Sequence, residues 1–170
     1  MLKLTEAFWK ICLLQLRPQD LPASGFLVGF SVGLYVLINT IGAALTLGPM
    51  TAIVATAFHT ALLLGLTYLI LWARELTPRY NQTVSALAGS NVVLTFIALP
   101  ILIWQLQSQD PALAPAFIML GLMIWNLAIV GHILRHALNV HFLIGTVLAV
   151  LYMYISVSIG QMLFITPTTS

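Results

Sequence analysis

The chain has 170 residues, 61% of them hydrophobic and 6% charged; an ordinary soluble domain carries roughly 25% charged residues, so a water-soluble globule is excluded. Six Lys and Arg against four Asp and Glu leave a net charge of +2, too little to neutralise a phosphate track, which excludes nucleic acid as a partner. The single Cys12 rules out an internal disulfide and any cysteine-built metal cage.

The composition points to an all-α fold, a polytopic membrane bundle of five transmembrane helices with an N-terminal interfacial amphipathic helix. That helix lies in residues 1–24. At 100° per residue Lys3, Glu6, Lys10 and Arg17 fall in one sector, and Leu4, Phe8, Ile11, Cys12 and Leu16 occupy the rest of the wheel. It is too short and too charged to span, and Trp9 suits the headgroup level, so it is expected to lie in the cytoplasmic interface as an anchor. A docking surface for a soluble partner is the alternative. Pro18 is expected to end it, and Pro22 to shape the lead-in. Glu6, Lys10, Arg17 and Asp20 interrupt the apolar core that a cleavable signal would need. Cys12 reads as a small apolar residue, with acylation as its alternative.

A hydrocarbon core about 30 Å thick takes roughly 20 apolar residues of helix, and residues 25–165 contain five such runs: about 25–47, 50–73, 83–106, 116–134 and 142–165. Ser24 is placed to cap the first, and Gly48-Pro49 turns the chain into the second. Residues 74–79 break the run before span three, and the stretch from Gln107 to Pro115, with Asp110-Pro111, breaks it before span four. Arg135 to His141 separate spans four and five, and 166–170 form a short outer tail. Every Lys and Arg then falls on one face: Lys3, Lys10 and Arg17 before span one, Arg74 and Arg79 after span two, Arg135 after span four. The positive-inside rule makes that face cytoplasmic, with the N-terminus inside and the C-terminus periplasmic in a bacterial inner membrane.

Within lipid, helices associate through small residues and hydrogen bonds. Gly25, Gly29 and Gly33 form a stripe on span one that continues through Thr40 and Ala44; Gly145, Ala149, Ser156 and Gly160 do the same on span five. Both faces are expected to pack inside the bundle, with a homo-oligomer or a larger membrane partner as the alternative. Asn39, His59, Asn91 and Asn126 each sit well inside one of the first four spans. They are expected to bond across helix interfaces as structural glue, with a substrate path as the alternative; Asn39 and His59 lie slightly toward the outer side, where they could meet, and Asn91 lies nearer the inside with Thr95 one turn along. Pro100 is expected to kink span three. No Asp, Glu, Lys or Arg lies in the middle of any span, which argues against proton or ion transport through charged groups at depth.

His132, His136 and His141 raise the question of a metal site at the cytoplasmic edge, but no Glu or Asp follows Asp110 to act as a general base. The reading is therefore interfacial histidines beside a basic turn, with no cofactor and no enzymatic activity.

Five spans, a cytoplasmic amphipathic stretch and the lead-in Arg17-Pro18-Gln19-Asp20-Leu21-Pro22 resemble small bacterial membrane proteins of the Yip1-like class. The resemblance implies a non-enzymatic, bundle-forming membrane protein and transfers no functional residue. The first expectation is an accessory subunit or membrane organiser acting through lateral helix packing, with lipids and a second copy or a larger membrane complex as partners. The alternative is a small-molecule or lipid transporter, or a subunit of one, with Asn39, His59, Asn91 and Asn126 lining a polar path.

Overall fold

The structure, a computed structural model, describes residues 2–108 and 113–164, with side chains over 4–108 and 113–160. The expected break at Asp110-Pro111, the tail 166–170 and the Lys3 side chain lie outside the described residues. Among the described residues, six α-helices follow one another: α1 Leu2–Cys12, α2 Gly25–Leu47, α3 Pro49–Ala73, α4 Tyr80–Gln107, α5 Leu113–Leu138 and α6 Phe142–Phe164. Single 3-10 turns, Pro18–Asp20 and Thr77–Arg79, precede α2 and α4. Helices α2 to α6 are each long and apolar enough to cross a bilayer, which makes the chain an all-helical integral membrane protein.

Three helix ends share one device that sequence inspection for glycine does not reveal. After α1, α3 and α5 the chain closes through a left-handed residue, Leu14 (φ 61°), Glu75 (φ 58°) and Asn139 (φ 53°). The following amide bonds back to an orphan carbonyl: Gln15 to Lys10 at 2.9 Å, Leu76 to Leu71 at 2.8 Å, Val140 to Arg135 at 3.0 Å. Helix α1 therefore stops at Cys12, well before Pro18, the residue expected to end it. Helix α5 likewise continues past the expected end at Leu134 to Leu138, so that Arg135 and His136 are helical. Arg79 makes that extension favourable by donating from Nη1 to the His136 and Ala137 carbonyls at 3.3 and 2.9 Å, which satisfies groups at the negative end of the helix dipole. Helix α4 runs unbroken through Pro100.

The spanning helices form a ring. Helix α2 packs between α3 and α4, α4 between α2 and α5, and α5 against α6, while α3 and α6 close the circle more lightly. Around α4, the residues from Thr83 to Ser90 are buried without interruption, because α1 and the first 3-10 turn cover the side that α2 and α5 leave open. Phe8, Ile11 and Cys12 are buried, and the Phe8 ring fills the space over Gly89, where a Cβ would stand 2.2 Å from Phe8 Cε1. The apolar face of α1 thus meets protein, while Glu6 and Lys10 pair at 2.7 Å on its exposed side.

The glycine stripe of span one is a correction. Gly25, Gly29 and Gly33 have no atom within 4 Å of where a Cβ would sit; α2 instead buries Leu27, Ser31 and Tyr35, a stripe on another face at the same spacing. On α6, by contrast, a Cβ at Gly145 would lie 2.6 Å from the Gly131 carbonyl oxygen and 2.7 Å from Arg135 Cβ, so α5 and α6 touch backbone to backbone there. Ala149 is buried, and a Cβ at Gly160 would lie 3.4 Å from the His59 ring.

Candidate functional site

The uncharged polar residues of the spans collect inside the ring. Asn39 Nδ2 donates to the Tyr35 carbonyl at 2.8 Å and to Asn91 Oδ1 at 2.9 Å; Thr95 Oγ1 donates to Asn91 Oδ1 at 3.1 Å. This knot joins α2 to α4. The pairing expected between Asn39 and His59 does not form: His59 Nδ1 lies 2.9 Å from Ser156 Oγ on α6. Ser156, read as a packing residue, is thus a hydrogen-bond partner across the light α3/α6 seam.

The Tyr35 hydroxyl, the Asn126 amide and the Tyr152 hydroxyl border cavities rather than a partner; the fully buried side-chain atoms without a partner among the described residues are Gln19 Oε1, Ser31 Oγ and Ser85 Oγ. Tyr35 borders three adjoining cavities. One of about 400 Å³ lies toward the α2–α3 turn, between Asn39, Thr95, Thr56 and His59. The second, about 160 Å³, is bordered by Asn91, Asn126, Tyr152 and Ser156. The third, about 50 Å³, extends between Thr67, Leu87 and Leu134 toward the opposite end. Asn39 and His59 border the first cavity and Asn91 and Asn126 the other two, and no Lys, Arg, Asp or Glu lines any of the three, which are taken together as the chamber.

The chamber is unevenly closed. At the α1 end, Leu71, Ala137 and Leu138 pack with Ile70, Leu76 and Tyr80 into an apolar plug. Beyond it, residues 12–21 form a strap across α4 and α5. Gln82 Nε2 donates to the Gln19 and Leu21 carbonyls at 3.0 and 2.8 Å, Gln19 Nε2 donates to the His136 carbonyl, and Trp125 Nε1 donates to the Cys12 carbonyl at 2.9 Å.

The three histidines do not form a centre. His132 and His136 touch ring to ring, with centroids 4.6 Å apart, but His132 Nε2 is occupied by the Leu16 carbonyl at 3.1 Å and His136 Nε2 accepts from Arg135 Nε at 3.2 Å. His141 does not join them, and among the described residues no group of three His, Cys, Asp or Glu is placed to hold a metal. Cys12 is fully buried with Sγ 3.7 Å from the Ser90 carbonyl; burial pushes its thiol up to about 11, an unreactive setting that leaves no room for an acyl chain.

Sequence reading did not single out Tyr35 and Tyr152, yet a signal was present. Tyrosine in a spanning helix concentrates at the two interfaces, whereas these two stand near the middle of α2 and α6. Fold and chamber together define a five-helix integral membrane protein with an uncharged polar interior. No protein-family model, no curated protein and no solved structure matches the chain.

Proposed function

We propose that this protein is a non-enzymatic membrane carrier, or the ligand-binding subunit of one, that receives an uncharged, hydrogen-bonding molecule in the chamber around Tyr35. One observation carries the reading: polar side chains from five helices converge on adjoining cavities at mid-span, and three of them border those cavities rather than a partner. Polar groups deep in a bundle otherwise pair across helix interfaces. The largest of the three cavities lies toward the α2–α3 turn while the plug closes the α1 end, which suits a carrier in a state open to one side. With Arg17, Arg74, Arg79 and Arg135 at the opposite end, that side is the periplasm of a bacterial inner membrane, in keeping with a Yip1-like layout.

Cysteine substitution tests the reading. Thr95→Cys and Asn126→Cys are expected to react with a small water-soluble methanethiosulfonate supplied at the α2–α3 turn, whereas Leu134→Cys stays protected and native Cys12 supplies a quiet background. Protection of both Thr95→Cys and Asn126→Cys would mean a dry core without a ligand path.

A second reading is favoured by the uncovered stripe Gly25, Gly29 and Gly33. It provides a close-packing face for lateral assembly, with a second copy or a larger complex, in the role of accessory subunit or organiser. Unchanged migration of Gly29→Leu and Gly33→Leu on native gels would remove its support.

A further inference from the structure

Resting on the carrier reading, we infer that the chamber's ligand is a lipid with an uncharged, hydrogen-bond-accepting head, which enters sideways from the bilayer between α5 and α6. The head chemistry follows from the groups that line the cavity. Tyr35, Tyr152 and Asn126 line one cavity, and their O–H and N–H groups are protons that a carbonyl or ether oxygen would accept. The lining has no Lys or Arg to neutralise a phosphate and no Asp or Glu to hold an ammonium, so a charged head would be desolvated without compensation.

The route follows from how α5 and α6 part. They meet backbone to backbone at Gly131 and Gly145, near the α1 end. Farther along, among the described residues, Phe117, Ile118, Leu120, Met123 and Ile124 of α5 are exposed, and nothing stands within 4 Å of a Cβ at Gly121. The cavity holding Asn126 and Tyr152 is lined by α5 only from Asn126 to Val130, whereas α6 lines it onward to Val157, which is 47% exposed. The edge beside Val157 is therefore apolar and faces lipid. A head seated at Asn126 leaves its tail in hydrocarbon, which a fully water-soluble ligand would have no use for. This agrees with a cavity too small to enclose a whole lipid.

Two neutral lipid sources share this chemistry, an isoprenoid-type quinone and a diacylglycerol, and the test separates them. Thermal unfolding of the purified full chain in detergent is followed with decylubiquinone, with dioctanoylglycerol and with dioctanoyl phosphatidylglycerol as the charged control. One of the neutral lipids is expected to raise the midpoint saturably, and the charged one not. Tyr152→Phe, which removes only a hydroxyl, should weaken that binding about tenfold. Val157→Trp at the mouth should weaken it as well while leaving the thiol reactivity of Thr95→Cys unchanged. No response to either neutral lipid, an equal response to phosphatidylglycerol, or a Tyr152→Phe response equal to that of the native chain would overturn the inference. If Thr95→Cys and Asn126→Cys still react with the water-soluble reagent in those cases, the carrier reading stands and only the lipid assignment is lost; if they do not, the carrier reading fails too.

Discussion

Gly89 shows how much one missing side chain decides. The Phe8 ring lies so close that a Cβ there would overlap three of its atoms, and Phe8 is buried on α1 together with Ile11 and Cys12. Gly89→Ala is expected to expel the ring and undock α1, at a cost of about 1–3 kcal/mol. The readout is built in: Cys12, the one thiol in the chain, should become reactive to maleimide in Gly89→Ala and be partly protected again in the double variant Phe8→Ala/Gly89→Ala. A maleimide rate unchanged from the native chain would show that α1 is not held by this contact. The same cysteine gives a pH dependence. Its folded-state value is raised from 9.0 to about 11 by burial, so the docked state keeps the neutral thiol. The associated stability is complete below pH 9 and is lost as the pH rises through about 11. Thermal midpoints of the native chain should therefore fall relative to Cys12→Ala across that interval, and parallel curves would contradict it.

At the scale of elements, two glycine stripes that look alike in sequence behave differently, and the difference measures what a single chain can reveal. Spacing shows which residues share a helix face, but not which face meets a neighbour, because the spanning helices are apolar all round and carry almost no amphipathic signal. Gly145 faces backbone and Gly29 faces nothing within 4 Å. Gly145→Ala should thus force α5 and α6 apart, destabilising the fold by about 1–3 kcal/mol, whereas Gly29→Ala should stay within about 0.5 kcal/mol of the native chain. Thermal unfolding in detergent compares them directly, and equal effects would show that the tight α5/α6 approach does not support the fold. The five spans, in contrast, were legible, since length and hydropathy are properties of each segment alone. Helix ends were less so. Leu14, Glu75 and Asn139 adopt left-handed conformations that glycine usually supplies, and the Arg79 side chain that sustains the last turn of α5 comes from a distant part of the sequence. Asn39, His59, Asn91 and Asn126 were legible as a set because polar atoms in lipid are conspicuous, but their pairing depended on helix rotations that only tertiary packing fixes.

For the molecule as a whole, the strap at the α1 end sets the asymmetry of the chamber. Residues 12–21 hold α4 and α5 together through backbone carbonyls, and Gln82 supplies two of those bonds from a single amide. Each such bond contributes about 1 kcal/mol net, so removing both should raise the population of strap-open molecules by roughly ten- to thirtyfold. Gln82→Leu keeps the side-chain bulk and deletes the donors. In that background Leu134→Cys, which borders the innermost cavity beneath the plug, is expected to react with a water-soluble thiol reagent supplied from the α1 end at least tenfold faster than with Gln82 intact. Thr95→Cys, approached from the α2–α3 turn, should react at its former rate. A uniform increase at both positions would indicate general loosening of the bundle. An unchanged Leu134→Cys rate would mean that the plug of Leu71, Ala137 and Leu138 closes this end by itself, leaving the strap to fix α1 in place.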